Sequence, residues 1–307
     1  MKRIKKYVLN KIAVSTLCLI LLLLFSFFPS HENINIEVSE NNTKKEKNEV
    51  YLLDNDNYVS KVIAYFDKTT IKDNIRNRLE LLKNGSIEYD DFYPLIPQST
   101  KILNIDVEKN SVYLNFSKDI LTVNKYIEEK MIESIIYTLT EINGINEVYI
   151  KVENEPLKEL PNSKKKLDYP LTRNYGINKE YNLNNFNDIT KTTIYFIKET
   201  DENKYYVPVT KIMNSNQEKI NIIISELKSI VNSQNNLYSY INNNLELLDY
   251  EEKDKTLSLT FNDFIYDNKT ISNEVKESLC SSIFDNYNVN EIIFNTEKNK
   301  NILNLKR

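Results

Sequence analysis

The stretch VYLNFSKDI, Val112–Ile120, returns 145 residues later as LSLTFNDFI, Leu257–Ile265. In each, apolar and polar residues alternate up to a Phe, and an acidic turn then leads to Ile. Such alternation is the pattern of a strand with one buried face. The flanking sequence extends the correspondence: Tyr51 maps to Tyr195, Phe116 to Phe261 and Glu147 to Glu291, all separated by 144 or 145 residues. One motif can drift into resemblance, but three at one offset predict a tandem duplication of a domain of roughly 100 residues.

The elements of the first copy follow from periodicity. VYLLDNDNYVSKVIAYFD (Val50–Asp67) reads as a hairpin around an Asp/Asn turn at Asp54–Asn57. Ile71, Ile75, Leu79 and Leu82 recur at helical spacing. Leu103, Ile105 and Val107 alternate on one strand and Val112, Leu114 and Phe116 on the next, with Glu108–Asn110 as their turn. Met131, Ile132, Ile135, Ile136, Leu139 and Ile142 form an apolar stripe that Gly144 closes as a C-cap, and INEVYIKV (Ile145–Val152) is the last strand.

The second copy repeats this order. TIYFIKETDENKYYVPV is its hairpin, and Ile220, Ile223, Ile224, Leu227, Ile230 and Val231 mark a helix. Leu245–Tyr250 and Leu257–Phe261 are strands, Val275, Leu279 and Ile283 mark a helix, and VNEIIFNT (Val289–Thr296) closes the copy. The predicted class is α+β: two tandem β-β-α-β-β-α-β domains, each with both helices packed on one face of a mixed sheet.

The N-terminal region has its own chemistry. Lys2, Arg3, Lys5, Lys6 and Lys11 precede Ile12–Phe28, seventeen residues without a charge. The pattern predicts a basic cytoplasmic segment (1–11), an uncleaved transmembrane anchor (12–29) with its N-terminus inside, and a polar tether (30–49) leading to an extracytoplasmic body. The run ends in Phe27-Phe28-Pro29 without a small-residue cleavage site, and Cys18 lies mid-run after Leu17, where lipid attachment is not expected. The body divides into a first domain (50–157), a linker (158–192), a second domain (193–298) and a C-terminal tail (299–307). Leu157, Leu160, Leu167, Leu171 and Tyr175 suit a linker that docks on the first domain. With five basic residues spent in the first eleven positions, the body is acidic, since the whole chain has 40 Lys and Arg against 44 Asp and Glu. An acidic body without a basic stripe excludes nucleic acid as a partner.

Reactive groups are sparse. His31 is the only histidine and stands outside both copies, which excludes Ser-His and Cys-His catalysis and a Cys/His zinc site. Cys280 reads as a buried apolar residue of a helix. Asp54 and Asp56 start like a calcium loop, but Val59 stands where its glycine belongs and the distal Glu is missing, so a solvated turn is expected. Asp90-Asp91, Asp119 and Asp263 are read as turn and capping residues. No enzyme activity, cofactor or metal is expected. The chain has 21 tyrosines, and DDFYPLIP gathers Phe92, Tyr93, Pro94, Ile96 and Pro97 into a candidate interaction loop for a partner or a glycan. The alternative is a loop whose aromatics fold back on the core.

Four stretches, LIPQSTKILNIDVEKNSVYLNFS (Leu95–Ser117), INEVYIKVENEPL (Ile145–Leu157), YPLTRNYGINKEY (Tyr169–Tyr181) and YYVPVTK (Tyr205–Lys211), resemble the GerMN domain family of sporulation and spore germination proteins, in tandem arrangement over almost all of Val50–Lys298. The chain departs from the pattern in three places. KVIAYFD replaces the Tyr-Val-Pro-Val strand in the first copy, Gln98-Ser99 stands where glycine is common, and the second copy lacks the Ile-Pro-x-x-Thr loop. The resemblance implies a fold like that of ring-building modules. It also implies a non-catalytic scaffold on the outer side of the mother-cell membrane, with membrane-embedded sporulation complex proteins as partners. The alternative is a module that binds peptidoglycan or cortex through Phe92–Pro97.

Overall fold

A computed structural model describes residues 45–85, 91–200, 203–229, 236–267 and 269–306. The expected anchor and the tether up to residue 44 lie outside the described residues; among those described, no helix is long and apolar enough to cross a membrane.

The first strand, β1 (Lys45–Asp54), starts within the expected tether. Its charged start faces solvent while pairing with the end of β2 (Val59–Asp67), so polarity hides it from hydrophobic pattern. Thr70 then caps α1 (Ile71–Asn84), its Oγ1 accepting from the Asp73 amide at 3.2 Å. The short β3 (Phe92–Tyr93) pairs with the end of β1. Next, β4 (Ile102–Glu108) and β5 (Ser111–Phe116) are antiparallel, whereas β6 (Glu147–Val152) runs parallel to β5. A parallel pair needs a crossover, supplied here by α2 (Glu128–Thr140). The two-residue β7 (Glu155–Pro156) ends this sheet. After the linker strand β8 (Glu180–Asn182), the second copy follows: β9 (Ile189–Glu199), β10 (Lys204–Asn214), α3 (Lys219–Lys228), β11 (Leu247–Lys253), β12 (Thr256–Phe261), α4 (Asn273–Asn286) and β13 (Glu291–Thr296).

The two mixed sheets share their irregularities as well as their order. A register shift falls between Ile102 and Asn104 in one and between Leu247 and Asp249 in the other, 145 residues apart. Val112, Leu114, Phe116, Val148 and Ile150 are buried in the first sheet, as are Leu257, Leu259, Phe261, Ile292 and Phe294 in the second.

Four expectations need correction. The hairpins do not join the mixed sheet of their own copy: β1 and β2 belong with β9 and β10 to one six-stranded sheet, in which Lys61 of β2 pairs with Tyr206 of β10. Consequently α2 lies between two layers and is buried at every residue from Met131 to Thr140, wider than one stripe. Its polar residues serve the hairpin, with Ser134 Oγ donating to the Tyr51 carbonyl at 2.5 Å and the Tyr51 amide donating to Thr138 Oγ1 at 2.9 Å. The helix ends at Thr140, and Gly144 occupies the following turn with φ 86°. Finally, the expected tail contributes β14 (Leu303–Lys306), antiparallel to β13, with Leu303 and Leu305 half-buried and Asn304 and Lys306 exposed. From Lys45 onward the two copies form one compact unit.

Candidate functional site

The two copies meet through equivalent residues. The Tyr51 and Tyr195 hydroxyls, 144 positions apart, lie 3.0 Å from each other. Each also donates to an acid of its own copy: Tyr51 to Glu141 at 2.6 Å and Tyr195 to Asp285 at 2.8 Å. The Tyr195 amide donates to Ser282 Oγ at 2.9 Å, as the Tyr51 amide does to Thr138. Self-complementary contact of this kind characterises an isologous dimer interface, here enclosed in a single chain.

One residue breaks the symmetry. The linker makes a single 3-10 turn at Arg173–Tyr175, capped by Thr172, and this turn sends Arg173 onto the approximate two-fold. Its Nη2 donates to Glu141 at 2.6 Å, its Nη1 to Asp285 and to the Tyr195 hydroxyl, and its Nε to Thr140 Oγ1 at 2.9 Å. The guanidinium also lies 4.7 Å from the Tyr137 ring centroid. A planar fork of five donors on three nitrogens reaches both carboxylates and the Thr140 and Tyr195 hydroxyls from different atoms, a spread that the single nitrogen of an ammonium does not match. Burial alone would raise the Glu141 carboxyl, but the Arg173 and Lys61 charges hold it well below its ordinary value. Burial and the neighbouring acids push the Tyr51 and Tyr195 hydroxyls well above theirs.

A second joint lies at the first hairpin turn. Asp54 Oδ1 accepts from the Asp56 and Tyr58 amides, both at 2.9 Å, so the Asp/Asn turn forms as expected. Asn55, Asp56 and Asn57 are exposed, as expected of a solvated turn, but Asp54 is not, because the second copy covers it: Asp54 is 1% exposed, and its Oδ2 pairs with Lys198 at 2.9 Å and accepts from Tyr205. Positions 54 and 198 are again 144 residues apart.

The linker completes the shared sheet. Pro208 has no N–H, so β10 cannot close a full ladder with β2 there. Asn178 fills the gap: its Oδ1 accepts from the Val59 amide at 2.9 Å, and its Nδ2 donates to the carbonyls of Val59 at 2.9 Å and Pro208 at 2.7 Å. Lys179 follows, pairing with Glu133 at 2.6 Å and Glu129 at 2.7 Å, and β8 then adds parallel to β10. Leu157, Leu160, Leu167 and Leu171 are buried and Tyr175 half-buried, the docking that their spacing suggested.

Of the candidate loop, Phe92 is buried edge-to-face on Tyr205 at 4.9 Å, and Ile96 is buried with its amide donating to the Leu82 carbonyl. Pro94 and Pro97 are half-buried; Tyr93 is 49% exposed and its hydroxyl donates to Asn55 at 2.7 Å. Asp119 accepts from Ser117 Oγ at 2.7 Å at the start of one 3-10 turn, and Asp263 pairs with Lys298 at the start of the equivalent turn in the other copy. Cys280 is buried and its thiol is pushed up to about 12 by that burial.

The family described as sporulation and spore germination (Germane) matches residues 49–158. The chain is 29% identical over 273 residues to the spore germination protein GerM of Bacillus subtilis (strain 168), across 84% of this chain and 73% of that protein. Its fold is similar to the tandem GerMN domains of the sporulation protein GerM from Bacillus subtilis, with TM-score 0.74 and 25% identity, covering 86% of this chain and 97% of that structure. With its paired hairpins and repeated mixed sheets, the chain is similar over most of its length to the tandem GerMN domains of a sporulation and spore germination protein, and its residues 49–158 match the sporulation and spore germination family.

Proposed function

We propose that this protein is a membrane-anchored, extracytoplasmic scaffold of sporulation that supports a complex between mother cell and forespore through protein contacts. Similarity to GerM supports a role in sporulation, and no catalytic activity is indicated by the relatives. The observation that carries the scaffold reading is the joint itself. Arg173, Glu141, Asp285 and the tyrosine pair fix two copies in one body, so surfaces on either copy are presented at a constant mutual geometry. Tyr93 is the residue of the Phe92–Pro97 loop most open to a partner. Cross-linking of the tagged full-length protein in sporulating cells, read by mass spectrometry, tests the proposal. Recovery of membrane-embedded sporulation proteins is expected; recovery of wall fragments alone would contradict it.

A second reading, a peptidoglycan-binding module, draws support from a different surface than the one first suspected. Tyr126 and Tyr181, 77% and 63% exposed, flank a cavity of about 330 Å³ with Glu129 and Lys130 in its wall. Aromatic faces beside polar groups suit a sugar ring. Sedimentation of residues 45–307 with purified cell wall, lost on Tyr126→Ala with Tyr181→Ala, would favour this reading.

A further inference from the structure

The charged side chains that line the cavity between Tyr126 and Tyr181 are Glu129, Lys130, Glu133, Lys179 and Glu180. Each of the three carboxylates has a lysine within 2.7 Å: Glu129 pairs with Lys165 and Lys179, Glu133 with Lys179, and Glu180 with Lys211. Asp54, on the turn before Tyr58, is held by Lys198. The acids around the cavity are therefore matched before any ligand arrives.

Lys130 is the exception. It has no ion-pair partner among the described residues, and its Nζ meets only Asn178 Oδ1 there, at 3.4 Å. That oxygen already accepts from the Val59 amide at 2.9 Å. Burial holds the Lys130 ammonium below its ordinary value against the opposing pull of Glu133 and Asp54, so its charge is not compensated by its surroundings. The equivalent position of the second copy, 144 residues on, is Glu274, which pairs with Lys204 at 2.9 Å. An unmatched cation is thus peculiar to the first copy. A second cation stands at the rim, where Lys125 Nζ lies 4.8 Å from the Tyr126 ring centroid, again without an ion-pair partner among the described residues. Exposed aromatic rings beside a cation that lacks a counter-ion suit a ring-shaped ligand that carries an anion.

We propose that this cavity binds a muramyl unit of peptidoglycan through a carboxylate, carried on the sugar or on its stem peptide. Lys130 pairs with the carboxylate while Tyr126 and Tyr181 pack against the sugar. The inference deepens the peptidoglycan reading and rests on it.

Three small probes test it. Residues 45–307, a compact unit with its own core, would be isotope-labelled and titrated with N-acetylmuramic acid, with its neutral methyl ester, and with N-acetylmuramyl-L-alanyl-D-isoglutamine, whose carboxylate lies on the peptide. Saturable amide shifts at Tyr126, Lys130 and Tyr181 are expected in the millimolar range with at least one of the two acids. The ester should bind about tenfold more weakly than that acid. Lys130→Met should bring the acid down to the level of the ester without lowering the thermal midpoint, since it removes a half-buried charge that has no partner. Tighter binding of the free sugar acid places the recognised carboxylate on the sugar, and tighter binding of the dipeptide places it on the stem; both support the proposal. An ester that binds as well as the acids, or acid binding indifferent to Lys130→Met, would overturn it and leave a site that reads the ring alone. Failure of both acids to bind, with cell wall still sedimenting the protein, would overturn it and leave the peptidoglycan reading with its contact elsewhere; failure of both assays removes that reading as well.

Discussion

Glu141 and Asp285 stand 144 residues apart in the chain and are bridged by a single guanidinium, that of Arg173, which belongs to neither copy. Each acid also accepts from the tyrosine of its own copy, and those two tyrosines touch each other. The pairing of two duplicated domains therefore depends on a residue supplied by the segment between them.

Arg173→Met should destabilise residues 45–307 by about 3–5 kcal/mol, because it leaves two buried carboxylates facing each other without their shared cation. Arg173→Lys should recover only part of this, since one nitrogen replaces the three that reach Thr140, Asp285 and Glu141 separately. Urea unfolding of the three proteins measures both differences.

The same cluster sets an acid dependence. The folded-state Glu141 carboxyl lies well below its ordinary value of 4.5, with the Arg173 and Lys61 charges outweighing the opposing effect of burial. A depressed folded value gives stability that is present above the unfolded value and lost as pH falls towards the folded one. Stability should thus hold above about pH 4.5 and decline below it, whereas in Arg173→Met burial is opposed chiefly by Lys61 and the decline should be shallower. Unfolding midpoints measured between neutral and strongly acidic pH decide the point.

Lys198→Met should cost about 3–5 kcal/mol because Asp54 is then buried without its cation, while Asp54→Leu combined with Lys198→Met should cost less than the sum of the single changes. A double-mutant cycle on urea unfolding gives the coupling between the copies directly.

Much of this architecture is written in the sequence. The spacing of VYLNFSKDI and LSLTFNDFI located the paired mixed sheets, and the same offset placed Tyr51 opposite Tyr195. The offset also relates Glu141 to Asp285, a correspondence available in the sequence but without meaning until the tyrosines meet. Arg173 carries no local signal, because one arginine in a proline-bearing linker gains its role only from acids that the fold brings to it. Lys45–Lys47 give no signal for the opposite reason: a charged, solvent-facing strand has no apolar alternation to read. Asp54 follows turn chemistry in both readings, and only the covering second copy turns its expected solvation into burial. Phe92 and Ile96 are buried in the core, a role that sequence does not separate from docking, because aromatic and proline-rich loops serve equally for both.

Leu259→Ala, in the core of the second copy, should lower stability by about 2–5 kcal/mol. Because the copies share one sheet and one buried polar cluster, the loss should be seen equally by a fluorescent probe placed in the first copy. A probe in the first copy that ignores the substitution would separate the two.

The central claim, that two copies act as one body, is tested most directly by calorimetry of residues 45–307. A single transition, whose calorimetric and van't Hoff enthalpies agree and which shifts as a whole on Arg173→Met, is the expected result. Two separable transitions in the unsubstituted protein, with Arg173→Met altering only one, would contradict it.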